Sequence, residues 1–278
     1  MSFKAIHLHL LTYPAPTPRR IVAYACVLAG QFEARLSVSI AHPIINVPSH
    51  WLAGPMLASA ARSLEAEAIG AANALEQLTV EECAMRKLAL EIKKVPVQFP
   101  AVYTEEYWLG RTSDLGIFPL PRQEPEQMLS IERWLFQTGH PALLYPEDAA
   151  ASPSFDTILV SWDFSQAASR TITGALPLLK RAKNIRVTTV RGEKDIPVTD
   201  TMRPLLDYLA AHGVAARADE IGTGGRPIGE VLLQRADEIG ADLIVMGAFG
   251  HSRLQEFLLG GATKSVLAGT PRPVFMSH

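Results

Sequence analysis

Ala241-Asp242-Leu243-Ile244-Val245-Met246-Gly247-Ala248-Phe249-Gly250, then nine residues from His251 to Leu259, then Gly260-Gly261-Ala262-Thr263: the fold turns on this stretch. A short apolar run closed by a glycine, with a second glycine three residues on, predicts a buried strand that gives way to a tight loop. The glycine pair at 260 and 261 opens a helical pattern, Ala262, Val266 and Leu267, which stops at Gly269 ahead of Pro271. Strand, glycine loop and helix together make a shape that can hold phosphate. Glycine lets a ligand come close to backbone, and the free N–H groups of a helix start attract anions.

Upstream of this stretch the chain alternates strand and helix. Thr157 to Trp162 reads as a strand ending at Asp163, and Ser165 to Lys183 as a helix with Ala168, Ile172, Ala175, Leu176 and Leu179 on one face, bent at Pro177. Ile185 to Val190 is a second strand, Asp200 to Ala211 a helix closed by Gly213, and Ala215 to Ile221 a third strand. Pro227 stands where a helix begins, Ile228, Val231, Leu232, Ala236 and Ile239 give its buried stripe, and Gly240 ends it. Leu243 to Met246 is the fourth strand and Pro273 to Met276 the fifth.

The first half follows the same plan with weaker signals. Lys4 to Leu10 alternates, with Ile6, Leu8 and Leu10 on one side and His7 and His9 on the other. Residues 18 to 31 are helical and stop at Gly30, Ala34 to Ile40 is a strand, Met56 to Ala84 a long helix and Leu88 to Val95 a strand. A helix from Glu126 to Gln137 ends at Gly139 and leads into Pro141-Ala-Leu-Leu-Tyr145, which matches Pro271 to Phe275 in the second half. Residues 146 to 155 have the composition of a linker. A duplication of this length is too long for a solenoid repeat. The expectation is two tandem α/β domains, 1–147 and 156–278, each a doubly wound, Rossmann-like parallel sheet of five strands with helices on both faces. In such sheets ligands sit outside the carboxyl ends of the strands, where strand order reverses.

Composition narrows the function classes. Hydrophobic residues are 48% and charged residues 19% of the 278, too rich in core formers for a disordered chain. A net charge of -2 and a pI near 6.5 give no whole-chain attraction for nucleic acid or an acidic membrane surface, so any anion site is local. No run approaches the ~18 apolar residues of a membrane span, and the amino terminus lacks the pattern of a signal peptide. Cys26 and Cys83 form neither a CxxC pair nor a disulfide framework, which predicts a reducing, cytoplasmic setting.

Two phosphate loops are excluded. A Walker A loop needs glycine immediately before its Lys-Ser, but Lys264-Ser265 follows Thr263. The dinucleotide pattern G-x-G-x-x-G is absent after the strand at 157–162, where the sequence is Ser161-Trp-Asp-Phe-Ser165. The spacing that is present, G-x-x-G, nine residues and G-G-A-T within alternating strands and helices, resembles the universal stress protein family. The resemblance is strong over 156 to 277 and weaker over 1 to 145, and it implies a tandem member.

In ATP-binding members the loop carries glycines and a Ser or Thr. The first strand ends in an aspartate near adenine and ribose, and a valine after the second packs on the base. By that resemblance Asp163 matches the aspartate, Val190 the valine, and Gly247, Gly250 and Gly260 the glycines. Gly261 stands where the family carries a hydroxyl, so one charge-assisted hydrogen bond to phosphate of about 1.5–3 kcal/mol is missing. Thr263 offers a replacement hydroxyl unless its helical direction turns it inward. The implied ligands are ATP, or AMP or another adenine nucleotide, with Mg2+ as charge partner, held by N–H groups of Gly247 to Gly250 and Gly260 to Ala262. The resemblance also implies an internal pseudo-dimer packed through the last strands, with a homodimer as a further option. The bland alternative is that these glycines only cap and turn.

The first half argues against a second site. Aligned with 242–250, residues 114–122 place Pro119 at Gly247 and Arg122 at Gly250, and Leu11 stands where Asp163 does. Proline has no N–H, and arginine blocks close approach. His7 and His9 share a strand face with His42 and His50 as conceivable metal partners. No carboxylate or cysteine lies at fitting spacing, so a half-exposed strand face is the better reading. Tyr103, Tyr107 and Trp108 read as core. His251 lies beside the phosphate loop with no orienting acid, so no catalytic residue is assigned. The functional expectation is an adenine-nucleotide-binding stress-response or regulatory protein. The alternatives are a scaffold that has lost nucleotide and acts by protein contact, and a slow ATP hydrolase.

Overall fold

Seven consecutive buried residues make β1, Ala5–Leu11. The histidines expected on a half-exposed face are 0% (His7) and 1% (His9) exposed. Strand β1 is flanked on both sides, by β2 (Arg35–Ile44) and by β4 (Leu115–Pro119), all parallel, and a parallel strand in that position is buried on both faces. The His7 imidazole is satisfied by serines of β2, Nδ1 lying 2.9 Å from Ser37 Oγ and Nε2 3.0 Å from Ser39 Oγ, and His9 Nδ1 lies 3.4 Å from Ser39 Oγ. Among the described residues no cluster of His, Cys, Asp and Glu could hold a metal ion.

The computed structural model describes residues 2–45, 54–98, 110–120, 125–147, 153–192, 202–248 and 261–278. Tyr103, Tyr107, Trp108, Arg122, His50 and His251 fall outside them. Contacts divide the chain into two compact units, one holding Phe3–Pro119 and the other Leu120–Ala149 and Ser154–His278. Residues 120–147, read in the sequence as the end of the first domain, therefore group with the second half.

The first unit has four parallel strands in the order β3-β2-β1-β4, with β3 at Leu90–Gln98. Helix α1, Arg19–Phe32, buries Ile21, Val22, Ala25, Cys26, Leu28 and Ala29. It continues past Gly30 because Glu33 takes the left-handed turn (φ 53°) and its N–H reaches Ala29 O and Gly30 O. Helix α2, Gly54–Met85, packs against α1 and brings Cys83 Sγ to 3.3 Å from Cys26 Sγ. The sequence gives no sign of this pairing of two buried free thiols 57 residues apart. The shared hydrogen bond and burial push the Cys26 thiol well above its ordinary pKa.

In the second unit five parallel strands run β10-β9-β6-β7-β8: β10 Val274–Ser277, β9 Leu243–Gly247, β6 Thr157–Ser161, β7 Asn184–Arg191 and β8 Arg217–Gly222. A sixth strand, β5 (Ala142–Tyr145), pairs antiparallel with β10, Leu143 facing Phe275. The last strands of the two halves thus pair directly. Helix α3, Pro125–Thr138, joins this unit: Trp134, 1% exposed, donates its Nε1–H to Pro141 O at 3.1 Å. The other helices are α4 Gln166–Leu179, α5 Arg203–Ala211, α6 Ile228–Glu238 and α7 Gly261–Gly269. Helix α4 runs two residues past Pro177 and ends short of the expected Lys183, where the N–H groups of Arg181 and Ala182 turn to the i−3 carbonyls of Leu178 and Leu179. The whole is an α/β fold built on mostly parallel sheet, as the alternation of elements predicts.

Candidate functional site

Strand order reverses between β6 and β9. From β6 the chain moves to β7 and β8 on one side, and from β9 to β10 on the other. At that point two neighbouring parallel strands leave a crevice at their carboxyl ends. Asp163 and Gly247 lie at this edge, as the alignment of strands predicts.

Beyond β6 the backbone is tightly fixed. Trp162 N–H donates to Thr188 O at 2.9 Å, and Thr189 Oγ1 donates to Trp162 O at 2.8 Å. Asp163 Oδ1 then accepts the N–H of Ser165 at 3.1 Å across Phe164, whose φ of 61° is left-handed. Ser165 caps α4, its hydroxyl accepting the N–H of Ala168 at 3.1 Å. The half-buried carboxylate is therefore held at the strand end by its own turn.

Gly247 ends β9 opposite Ser277 of β10. A Cβ built on it would stand 2.7 Å from Ala168 N and 3.0 Å from Ala167 C, closer than real Cβ atoms come to backbone. Its φ is not left-handed, so close approach to the first turn of α4 is what requires glycine here. The same contact ties the two expected site residues together: Asp163 bonds Ser165, and Ala167 and Ala168, one turn on, pack against Gly247.

Gly250 and Gly260 lie outside the described residues. Gly261 opens α7, and among the described residues a Cβ on it would meet nothing within 4 Å. The first-turn N–H groups of α7, on Gly261, Ala262 and Thr263, have no partner within the helix. Thr263 is buried, 4% exposed.

Helix α7 is set in place by glycines that sequence reading treats only as turns or passes over. A Cβ on Gly229 of α6 would collide with Ser265 Cβ and stand 2.8 Å from Ala262 O, and one on Gly269 would stand 2.9 Å from Leu233 Cδ1. Small residues at the α6–α7 contact let the two helices close on each other and fix where the start of α7 stands. Val190, 7% exposed, lies one residue before the end of β7 opposite Ile221. Sequence reading also missed Trp162, whose Nε1 is buried with no hydrogen-bond partner among the described residues and whose ring lies 5.5 Å from that of Phe164. The signal that could have marked it is its place beside Asp163 at a strand end.

The first half offers a contrast at its own carboxyl edge. Leu11, the counterpart of Asp163, is buried in an apolar cluster with Ala41, Val95 and Val97. Its N–H is taken by Thr17 Oγ1 at 2.8 Å, and Pro119, the counterpart of Gly247, is buried at the end of β4.

Comparison with known proteins bears on family and fold. The Universal stress protein family matches residues 154–278. No curated protein matches the sequence. Among solved structures, a universal stress protein from Archaeoglobus fulgidus DSM 4304 superposes with a TM-score of 0.69 at 18% identity, over 98% of this chain and 95% of that one. A protein from Pseudomonas aeruginosa UCBPP-PA14, assigned to the same family, gives 0.61 at 14% identity, over 99% and 93%. At these identities the structures speak for the fold alone. Full-length coverage shows that the tandem arrangement is shared. Among the described residues no helix is long and apolar enough to cross a membrane.

Proposed function

We propose, from the premise that residues 154–278 form a universal stress protein domain, that this domain binds an adenine nucleotide at the carboxyl edge between β6 and β9 and acts in a stress-response or regulatory role. The observation that carries the reading is the placing of Asp163 at the switch point, beside the Gly247–α4 contact, with the exposed, unencumbered Gly261 opening the helix that follows β9.

The residues fit the group in two of three respects. Asp163 has the acceptor character that ribose hydroxyls or an adenine amine need, and Val190 supplies an apolar contact nearby. The N–H groups of Gly261, Ala262 and Thr263 would hold phosphate, helped by the positive end of α7. The family's hydroxyl is missing at position 261, which is glycine, and Thr263 two residues on is 4% exposed. Mg2+ bound with the nucleotide would neutralise phosphate charge. No residue is assigned as a general base, so the reading is of binding rather than turnover, with slow ATP hydrolysis as its outer limit. The first half, apolar where Asp163 has its counterpart, serves as a structural partner.

A scaffold acting by protein contact is the second reading, and one observation favours it: packing against α4 accounts for Gly247 without any ligand. Thermal melting separates the two. ATP or AMP with Mg2+ at millimolar concentration should raise the melting temperature of the purified chain, and Asp163→Asn should remove most of the rise. A protein that carries no nucleotide and whose melting is indifferent to ATP, AMP and cyclic nucleotides is the scaffold.

A further inference from the structure

At the amino edge of the second unit's sheet, the opposite end of the strands from Asp163 and Gly247, lies a cleft of about 630 Å3. It opens between the starts of β6, β7 and β8 and the last turn of α6, and four of its lining side chains are cationic (Lys183, Arg186, Arg217 and Arg235) against a single acid, Glu238. In a chain of net charge -2 this is a local concentration of positive charge.

Two of the cations are neutralised. Lys183 Nζ lies 2.7 Å from Asp156 Oδ2. Arg235 Nε lies 2.6 Å from Asp219 Oδ2, and its Nη1 2.8 Å from Glu238 Oε2. Arg186 and Arg217 make no ion pair among the described residues, and they are cross-strand partners in the parallel β7–β8 register. Registered residues share a face on strands about 4.8 Å apart, so two guanidinium stems rise side by side, an arrangement that is destabilising unless an anion answers it. One pair further along the same face, where Thr188 faces Asp219, the sheet does supply an acid, and Arg235 takes it.

We propose that this cleft binds a phosphate dianion, carried on a small molecule or free, with Arg186 and Arg217 clamping it between them. The guanidinium fork matches phosphate oxygens in a bidentate way that a point charge does not. The volume falls within the range of small-molecule sites. Ala215 and Ala216 supply little apolar surface, so charge carries the affinity and salt weakens it. This site is separate from the nucleotide crevice and does not depend on that reading.

Isothermal titration at low ionic strength with inorganic phosphate and with ribose 5-phosphate tests the proposal on the full chain, the Arg186→Gln and Arg217→Gln variants, and Asp163→Asn. The parent should bind saturably, each arginine variant roughly tenfold or more weakly, and Asp163→Asn like the parent. Tighter binding of ribose 5-phosphate assigns the site to a phosphorylated metabolite, and equal binding assigns it to the free ion. A second readout follows from the repulsion: without ligand, Arg217→Gln should melt above the parent, and phosphate should no longer raise its melting temperature. Absence of saturable binding overturns the proposal, as does binding that survives both arginine substitutions or disappears with Asp163→Asn.

Discussion

Substituting Gly261 by serine should turn a weak nucleotide site into a stronger one. The position can accept it: among the described residues a Cβ meets nothing within 4 Å, the backbone is not left-handed, and the residue opens α7. A hydrogen bond from the new hydroxyl to a phosphate oxygen is worth about 1.5–3 kcal/mol, and at 1.4 kcal/mol per decade that is roughly 10- to 150-fold in affinity. Exposure of the helix start to water favours the lower end, about tenfold. Gly261→Ala is the control, because it shares the loss of glycine's backbone freedom and lacks the hydroxyl. The assay is calorimetric titration of ATP with Mg2+ into the parent and both variants. Serine should tighten binding about tenfold, alanine by less than about twofold. Equal effects of serine and alanine would mean that backbone order rather than phosphate contact sets the affinity, and no binding in any of the three would refute the placing of the phosphates at α7.

Gly247→Ala should destabilise the second unit by about 1–3 kcal/mol, the usual cost of overpacking, because its Cβ would press on Ala168 N, at 2.7 Å, and backbone cannot swing away; denaturant unfolding that leaves the midpoint unchanged would contradict this packing. Glu132, 5% exposed on α3, has its carboxyl pushed from 4.5 up to about 7 by burial, with Lys264 opposing. The native carboxyl thus holds its proton more tightly than the unfolded chain does, so the associated stability is fully present below about pH 4.5 and is lost as pH rises through about 7. Glu132→Gln should remove this loss, stabilising the protein at pH 8 by roughly 2–3 kcal/mol and hardly at all at pH 4; parallel stability profiles for the two proteins would exclude the effect.

The placing of Asp163 and Gly247 at one sheet edge could be read from sequence because each ends a local strand signal. Asp163 ends a short apolar run, Gly247 ends another, and the order of strands puts both at one edge. The identity of the glycines was legible and their reasons were not. Gly247 looked like a ligand contact, and the packing shows that protein backbone occupies the space beside it. Gly229 carried no signal, since what demands it is Ser265 and Ala262, more than thirty residues away. The burial of Thr263 was hidden for a similar reason: spacing along a helix leaves a residue's direction open until the neighbouring helix is in place.

By itself the sequence determined the alternation of strands and helices, the duplication, and the inequality of the halves, because periodicity, glycine and proline act through neighbours a few residues apart. Burial on both faces of β1, the meeting of Cys26 with Cys83, the antiparallel register of β5 against β10 and the pairing of Arg186 with Arg217 were decided only by tertiary structure. Each depends on which strand or helix lies alongside. That choice belongs to hydrogen-bond register and to packing between distant segments, and no local window contains it.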